Sequence, residues 1–250
     1  RHAHGMETRG VHEGAGVMAA KNISTTVTPV FIHIPKTAGT FVRRRIVSDY
    51  RNVGCAYPTP PFKRIADLTD AEIQCLKLCD AVIGHETFHA FHAIYGDSAK
   101  YYTILRNPVD RLISYYNHAM SYFDKYRHQK VTPAKFLEDK SNIELDNIQV
   151  RYLCGRPYGL PIDRSDLDRA KDIVAKDIIS VGIQEFLGES IRRQEIFKQK
   201  DLEKHERENV SVFGFSRQSL TESEINAFRS RSALDMELYS FCLSRFQSEY

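Results

Sequence analysis

The sequence predicts an α/β domain built on a largely parallel sheet flanked by helices. Three observations carry that. Short apolar, β-branched runs at residues 30–34, 81–84, 101–105 and 178–183 alternate with helical periodicities. Two of those runs end in small or polar loops that open directly into helices. The chain is 250 residues long, 42% hydrophobic and 27% charged, which suits one domain with a sizeable core.

Residues 1–20 are aperiodic and bear glycine and histidine, and they read as a tag or disordered arm. His2 and His4 belong to it, and the domain is expected over 21–250. The first strand, 30–34, stops at Pro35. The loop Lys36-Thr37-Ala38-Gly39-Thr40 leads into a helix over 39–50 whose inner face is Val42, Ile46 and Tyr50. That face turns Arg44 outward, and the run Arg43-Arg44-Arg45 reads as solvated. A proline-rich loop over 57–62 precedes a short helix over 70–78, then a strand at 81–84. The strand 101–105 runs into Asn107, a good N-cap, and Pro108, which suits the first helical position. Thr132-Pro133 opens another helix, 166–176 is amphipathic, and 178–183 is a strand followed by a helix over 186–198. Residues 200–209 are highly charged. The closing helix presents Leu234, Leu238, Phe241, Cys242 and Phe246.

A net charge of +3 does not argue for nucleic acid. No apolar run approaches the ~18 residues of a membrane span. Five cysteines, an odd and sparse set, do not make a disulfide framework. Cys75 and Cys79 read as small core residues. The triplets beginning at Asn22 and Asn209 fit the N-glycosylation pattern.

The chemistry concentrates in two segments. A strand, a small-residue loop and a helix N-terminus form an anion site, since backbone N–H groups and the helix dipole favour negative charge. Lys36 adds a full charge, and the Thr37 and Thr40 hydroxyls add donors. The lysine precedes the only glycine, so this is not the triphosphate P-loop, in which lysine follows glycine. The second segment places Arg106 at the carboxyl end of a strand, the edge where open α/β sheets bind ligands. An arginine there can grip a phosphate through two parallel bonds; the structural alternative is a pair with Asp110.

Pro-Lys-Thr-Ala-Gly-Thr (35–40) resembles the phosphosulfate loop of sulfotransferases that use 3′-phosphoadenosine 5′-phosphosulfate (PAPS). The two segments together, some seventy residues apart, are similar to that family's donor site. The nearest resemblance is to the carbohydrate sulfotransferases of the uronyl and heparan sulfate 2-O-sulfotransferase branch. It extends to residues 146–155, 179–185 and 234–241. The resemblance implies that Lys36, Thr37, Ala38, Gly39, Thr40 and Phe41 hold the 5′-phosphosulfate. It implies that Arg106 and Ser114, eight residues apart, hold the 3′-phosphate, and that Ser216 and Arg217 close over the donor. It also implies a histidine general base at His85, in a family setting of His-Gly-His, where this chain has Ile83-Gly84-His85. Glu86 is the second base candidate. The acceptor implied is a hydroxyl, that of a carbohydrate, and no metal is called for. The compartment implied is the Golgi lumen for an animal protein and the cytoplasm for a bacterial one.

One motif points elsewhere. His85-Glu86-Thr87-Phe88-His89 matches the zinc-metalloprotease pattern, with His85 and His89 as ligands and Glu86 as base. It requires a helix already under way at His85, whereas the preceding Ala-Val-Ile-Gly reads as a strand end. A kinase or NTPase would need a lysine after the glycine and magnesium ligands. A sulfated-glycan binder would use the basic residues without PAPS. His33, His89 and His92 read as structural. Tyr115, Tyr116, Tyr122 and Tyr126 read as helix-packing residues that could alternatively stack on a sugar.

Overall fold

The computed structural model describes residues 27–57, 64–129, 131–198 and 215–248. The N-terminal arm with His2 and His4, both glycosylation triplets, the proline-rich stretch beyond Tyr57 and the charged segment 200–209 lie outside those residues.

In chain order the elements are β1 (Thr28–Ile32), α1 (Gly39–Asp49), β2 (Val53–Ala56), α2 (Asp70–Lys77), β3 (Ala81–Gly84), α3 (Phe88–Tyr95), β4 (Ala99–Leu105) and α4 (Pro108–Tyr122). There follow α5 (Asp124–Arg127), α6 (Pro133–Leu137), α7 (Ile148–Cys154), α8 (Arg164–Ala175), β5 (Ile179–Ile183), α9 (Leu187–Arg193), α10 (Glu222–Arg231) and α11 (Ala233–Ser248). The five strands form one parallel sheet in the order β2-β3-β1-β4-β5. Parallel neighbours need crossovers, and the crossing helices cover both faces. β1 is therefore apolar throughout its buried length. Val30 and Ile32 face one helical layer, with α3, α7, α8 and α11. Phe31 faces the other, with Val42 and Ile46 of α1 and with Ile191, Ile196 and Phe197.

From β1 the chain crosses to β2 on one side of the sheet; from β4 it goes to β5 on the other. The carboxyl ends of β1 and β4 thus flank a topological switch point, where such sheets open a crevice. A third apolar cluster lies beyond that edge. There α4 packs with α5, α6 and α10 through Leu112, Tyr116, Tyr126, Phe136 and Phe228. Among the described residues no helix is long and apolar enough to cross a membrane.

Several elements depart from expectation for physical reasons. β2 is four residues with a glycine, too short to show alternation, and it exists through its pairing with β3. α7 is buried at every position, so it lacks an amphipathic period. The helix expected over 186–198 stops at Arg193. Gln194 turns to an extended conformation and its carboxamide donates to the carbonyls of Thr103 and Ser180. That lets Ile196 and Phe197 drop into the core. Cys75 is exposed, on a short helix that buries no residue, which corrects the reading of it as core; Cys79, just beyond that helix, is half-buried and packs against the core. Tyr115, Tyr116 and Tyr126 pack in the core, while Tyr122 is exposed.

Candidate active site

The loop after β1 is shaped by two non-glycine residues in the left-handed region, Lys36 (φ 70°) and Ala38 (φ 68°), separated by Thr37. Alternation of this kind turns successive backbone N–H groups toward one concavity, an anion-binding nest. Ala38 is also the N-cap of α1, and no side chain caps that helix. A helix N-terminus with no capping side chain favours an anion beside it. The Thr37 hydroxyl does not point that way. It is buried and donates to the Ile34 carbonyl at 2.8 Å, so Thr37 braces the loop and offers its backbone N–H alone, a correction to the expected hydroxyl donor. Thr40 is exposed and Phe41 half-buried in the first turn of α1. Gly39 is dictated by a neighbour: a Cβ there would fall 1.3 Å from Nε2 of His33. His33 is therefore the wedge beneath the loop.

Lys36 is half-buried, and desolvation first, then the cations Arg106 and Arg111, lower its pKa, against an opposing pull from Glu144. Arg106, at the end of β4, donates from a guanidinium nitrogen to the Lys36 carbonyl at 3.2 Å, which joins the two phosphate candidates across the switch point. Burial is also the largest influence on Arg106 and lowers its pKa. Among the described residues no carboxylate lies within ion-pair distance of Lys36 or Arg106. The expected alternative, a pair between Arg106 and Asp110, is not formed; it is Arg217 that approaches Asp110, at 3.9 Å.

The Arg106 corner is clamped from behind. The Gln149 carboxamide accepts from the Arg106 N–H and donates to the Arg106 carbonyl, both at 3.0 Å. Glu185 accepts from the Asn107 N–H and from the Tyr239 hydroxyl. Asn107 caps α4 through the N–H groups of Val109 and Asp110. Asp235 accepts from the N–H groups of Gln149 and Val150 at the start of α7. Asn147 accepts from Leu234 and Asp235 at the start of α11. Segments 146–155, 179–185 and 234–241 thus meet at one place. No residue in this clamp was a site candidate from sequence. The signal available was only that three polar-bearing segments shared the resemblance.

β3, β1 and β4 are adjacent, so His85, the Lys36 loop and Arg106 follow three neighbouring parallel strands at one sheet edge. The His85 Nδ1–H donates to the His33 carbonyl at 2.7 Å; a carbonyl only accepts, so the proton is on Nδ1 and the lone pair on Nε2. The His85 ring stacks on His33 with centroids 4.1 Å apart, and Tyr57 stands edge-on to both. Burial pulls the His85 pKa down to about 4, opposed by its bond to the His33 carbonyl. His33 is pulled well below its ordinary value, first by burial and then by the charges of His85, Arg43 and Lys36. Both imidazoles are neutral near pH 7.

Glu86 turns away. It is buried, accepts from the Ile65 N–H at 3.1 Å and faces Arg64 at 3.7 Å, so it anchors the segment before α2. The zinc reading fails on the same geometry. Thr87 is the N-cap of α3, its hydroxyl accepting from Ala90, so His85 and Glu86 precede the helix and only His89 is on it. His89 is exposed, and His92 bonds Tyr101. Among the described residues no three His, Cys, Asp or Glu side chains are arranged to hold a metal.

Ser114 is half-buried on α4, one turn of helix beyond Asp110, which is in the first turn of that helix after Arg106. Ser216 begins a short 3₁₀ turn over Arg217–Ser219 and is tied to Ser219, which leaves Arg217 half-buried beside Asp110. Arg111, fully buried, pairs with Glu144 at 3.2 Å, and its charge acts on Lys36.

No family model matches this chain, and no curated protein matches it. Among solved structures it is similar to a mouse sulfotransferase, SULT7A1, complexed with PAP. The identity is 15%, the TM-score 0.44, and the match covers 90% of this chain and 76% of that one.

Proposed function

We propose that this protein transfers a sulfuryl group from PAPS to a hydroxyl of an acceptor, a carbohydrate by the motif resemblance. The observation that carries the reading is the Lys36–Arg106 junction. Two cations without carboxylate partners among the described residues, joined through the Lys36 carbonyl, flank an uncapped helix N-terminus at the switch point. Such an arrangement suits a ligand with two separated phosphate groups, and an adenosine 3′-phosphate 5′-phosphosulfate has that chemistry.

In this reading the donor supplies the sulfuryl group, and the chain supplies position and charge. The backbone N–H groups from Thr37 to Phe41 hold the 5′-phosphate end, and the Lys36 ammonium offsets charge growing there. Arg106 and Ser114 hold the 3′-phosphate, and Arg217 covers it. His85 accepts the acceptor's hydroxyl proton at Nε2, the nitrogen its bond to His33 leaves basic. A pKa near 4 is that of the protein alone; a polyanion beside the ring raises it toward the working range.

The test is calorimetric titration with adenosine 3′,5′-bisphosphate in EDTA, on the wild type and Arg106→Ala. Micromolar binding that Arg106→Ala abolishes is the expected result. No binding to the wild type overturns the donor assignment.

A further inference from the structure

Between Asp110 and Met120 the residues of α4 that are not buried are Asp110, Ser114 and His118. They recur every fourth position and share one face of the helix. At one end of that stripe Asp110 meets Arg217 and acts on Arg106. At the other, His118 lies within the electrostatic reach of Lys36. The stripe therefore runs from the side of Arg217 and Arg106 into the field of Lys36. The His118 ring is held by Tyr122, with centroids 4.8 Å apart, and by Phe123 at 5.5 Å. Neither ring nitrogen has a hydrogen-bond partner among the described residues.

We propose that His118 is a further donor-binding residue, contacting the phosphosulfate end of the donor from α4, opposite Lys36. The inference rests on the donor reading above and extends it to a residue outside both phosphate motifs. Burial, and then Lys36, hold the imidazole below its ordinary value, so it is neutral in the free protein near pH 7. Lys36 is the charged group acting on it; Tyr122 from its own helix and Phe123 beyond it present uncharged rings. An anion entering between Lys36 and His118 reverses the local sign. The imidazole then takes up a proton from solvent and donates a charge-assisted hydrogen bond to the anion.

The experiment is titration of the full chain with adenosine 3′,5′-bisphosphate near pH 7, in two buffers of different ionisation heat. The variants are His118→Phe, His118→Gln and Arg106→Ala, with melting temperatures measured alongside. Wild type is expected to take up protons on binding. His118→Phe keeps the ring packing and the melting temperature, loses the share of that uptake due to His118 and binds about tenfold more weakly, as one charge-assisted bond implies. His118→Gln recovers part of the affinity without that share of the uptake. Wild-type affinity and uptake in His118→Phe, with Arg106→Ala still failing to bind, overturn this inference alone. Absence of binding to the wild type overturns the donor reading, and this inference with it.

Discussion

Asn147 and Asp235 cap each other's helices. The Asn147 carboxamide oxygen accepts from the first turn of α11, and the Asp235 carboxylate from the first turn of α7. Gln149, in that same first turn of α7, is the residue that clamps Arg106. A purely structural pair thus reaches the site through one intervening side chain.

Asp235→Ala removes both bonds to α7 and is expected to cost about 1–2 kcal/mol, as other helix caps do. Burial pushes the Asp235 carboxyl up to about 6, so the folded protein holds a proton there that the unfolded chain releases. This group's contribution therefore falls as pH rises from about 4 to 6, and Asp235→Asn should flatten that part of the stability curve. Denaturant melts across that range check both statements.

The two stacked histidines give the opposite sign. Their folded pKa values lie below the unfolded value, so their contribution is present above about pH 6.5 and is lost as pH falls toward about 4. His85→Gln should reduce the acid sensitivity measured by urea unfolding. An unchanged slope would mean that His85 is solvated.

Gly39→Ala drives a methyl into the His33 ring and should cost roughly 1–3 kcal/mol while displacing the loop. His33→Ala on that background clears the space. The double variant should regain adenosine 3′,5′-bisphosphate affinity that Gly39→Ala alone loses. Failure of the rescue would mean that the His33 ring is itself needed to hold the loop.

Glu86 and His85 are separable by turnover. Glu86→Gln leaves the imidazole untouched and should lower stability while turnover in the folded fraction stays within a few-fold of wild type. His85→Ala and Lys36→Ala should each reduce turnover at least ~100-fold, the scale of a lost general base or charge stabiliser, with the fold retained by circular dichroism. A larger turnover loss in Glu86→Gln than in His85→Ala would transfer the base role to Glu86.

The parts legible in the sequence were those governed by local rules. The β1 loop and the Asn107-Pro108 helix start were readable because strand, turn and cap chemistry lie within a few residues. The edge shared by His85, Lys36 and Arg106 followed from the strand ends. What lay beyond reach depended on contacts distant in sequence. The fate of Glu86 is set by Ile65, twenty-one residues away. The zinc pattern is correctly set aside on the strand ending at Gly84, and its three fixed positions straddle a helix cap at Thr87. The need for Gly39 could not be seen without knowing that His33 folds beneath it.

The adjacency of β3, β1 and β4 makes the sheet a gauge. Neighbouring strands are spaced ~4.8 Å by their hydrogen bonds, so the candidate base, the lysine loop and the arginine are set out in steps that no side-chain substitution alters. A ligand bridging them must match that interval. The helices α5, α6 and α10, which pack with α4 in a separate apolar cluster, carry no such constraint. On the proposed reading, divergence in what the protein modifies is free to accumulate on those three helices, while the length of the donor is held by the backbone.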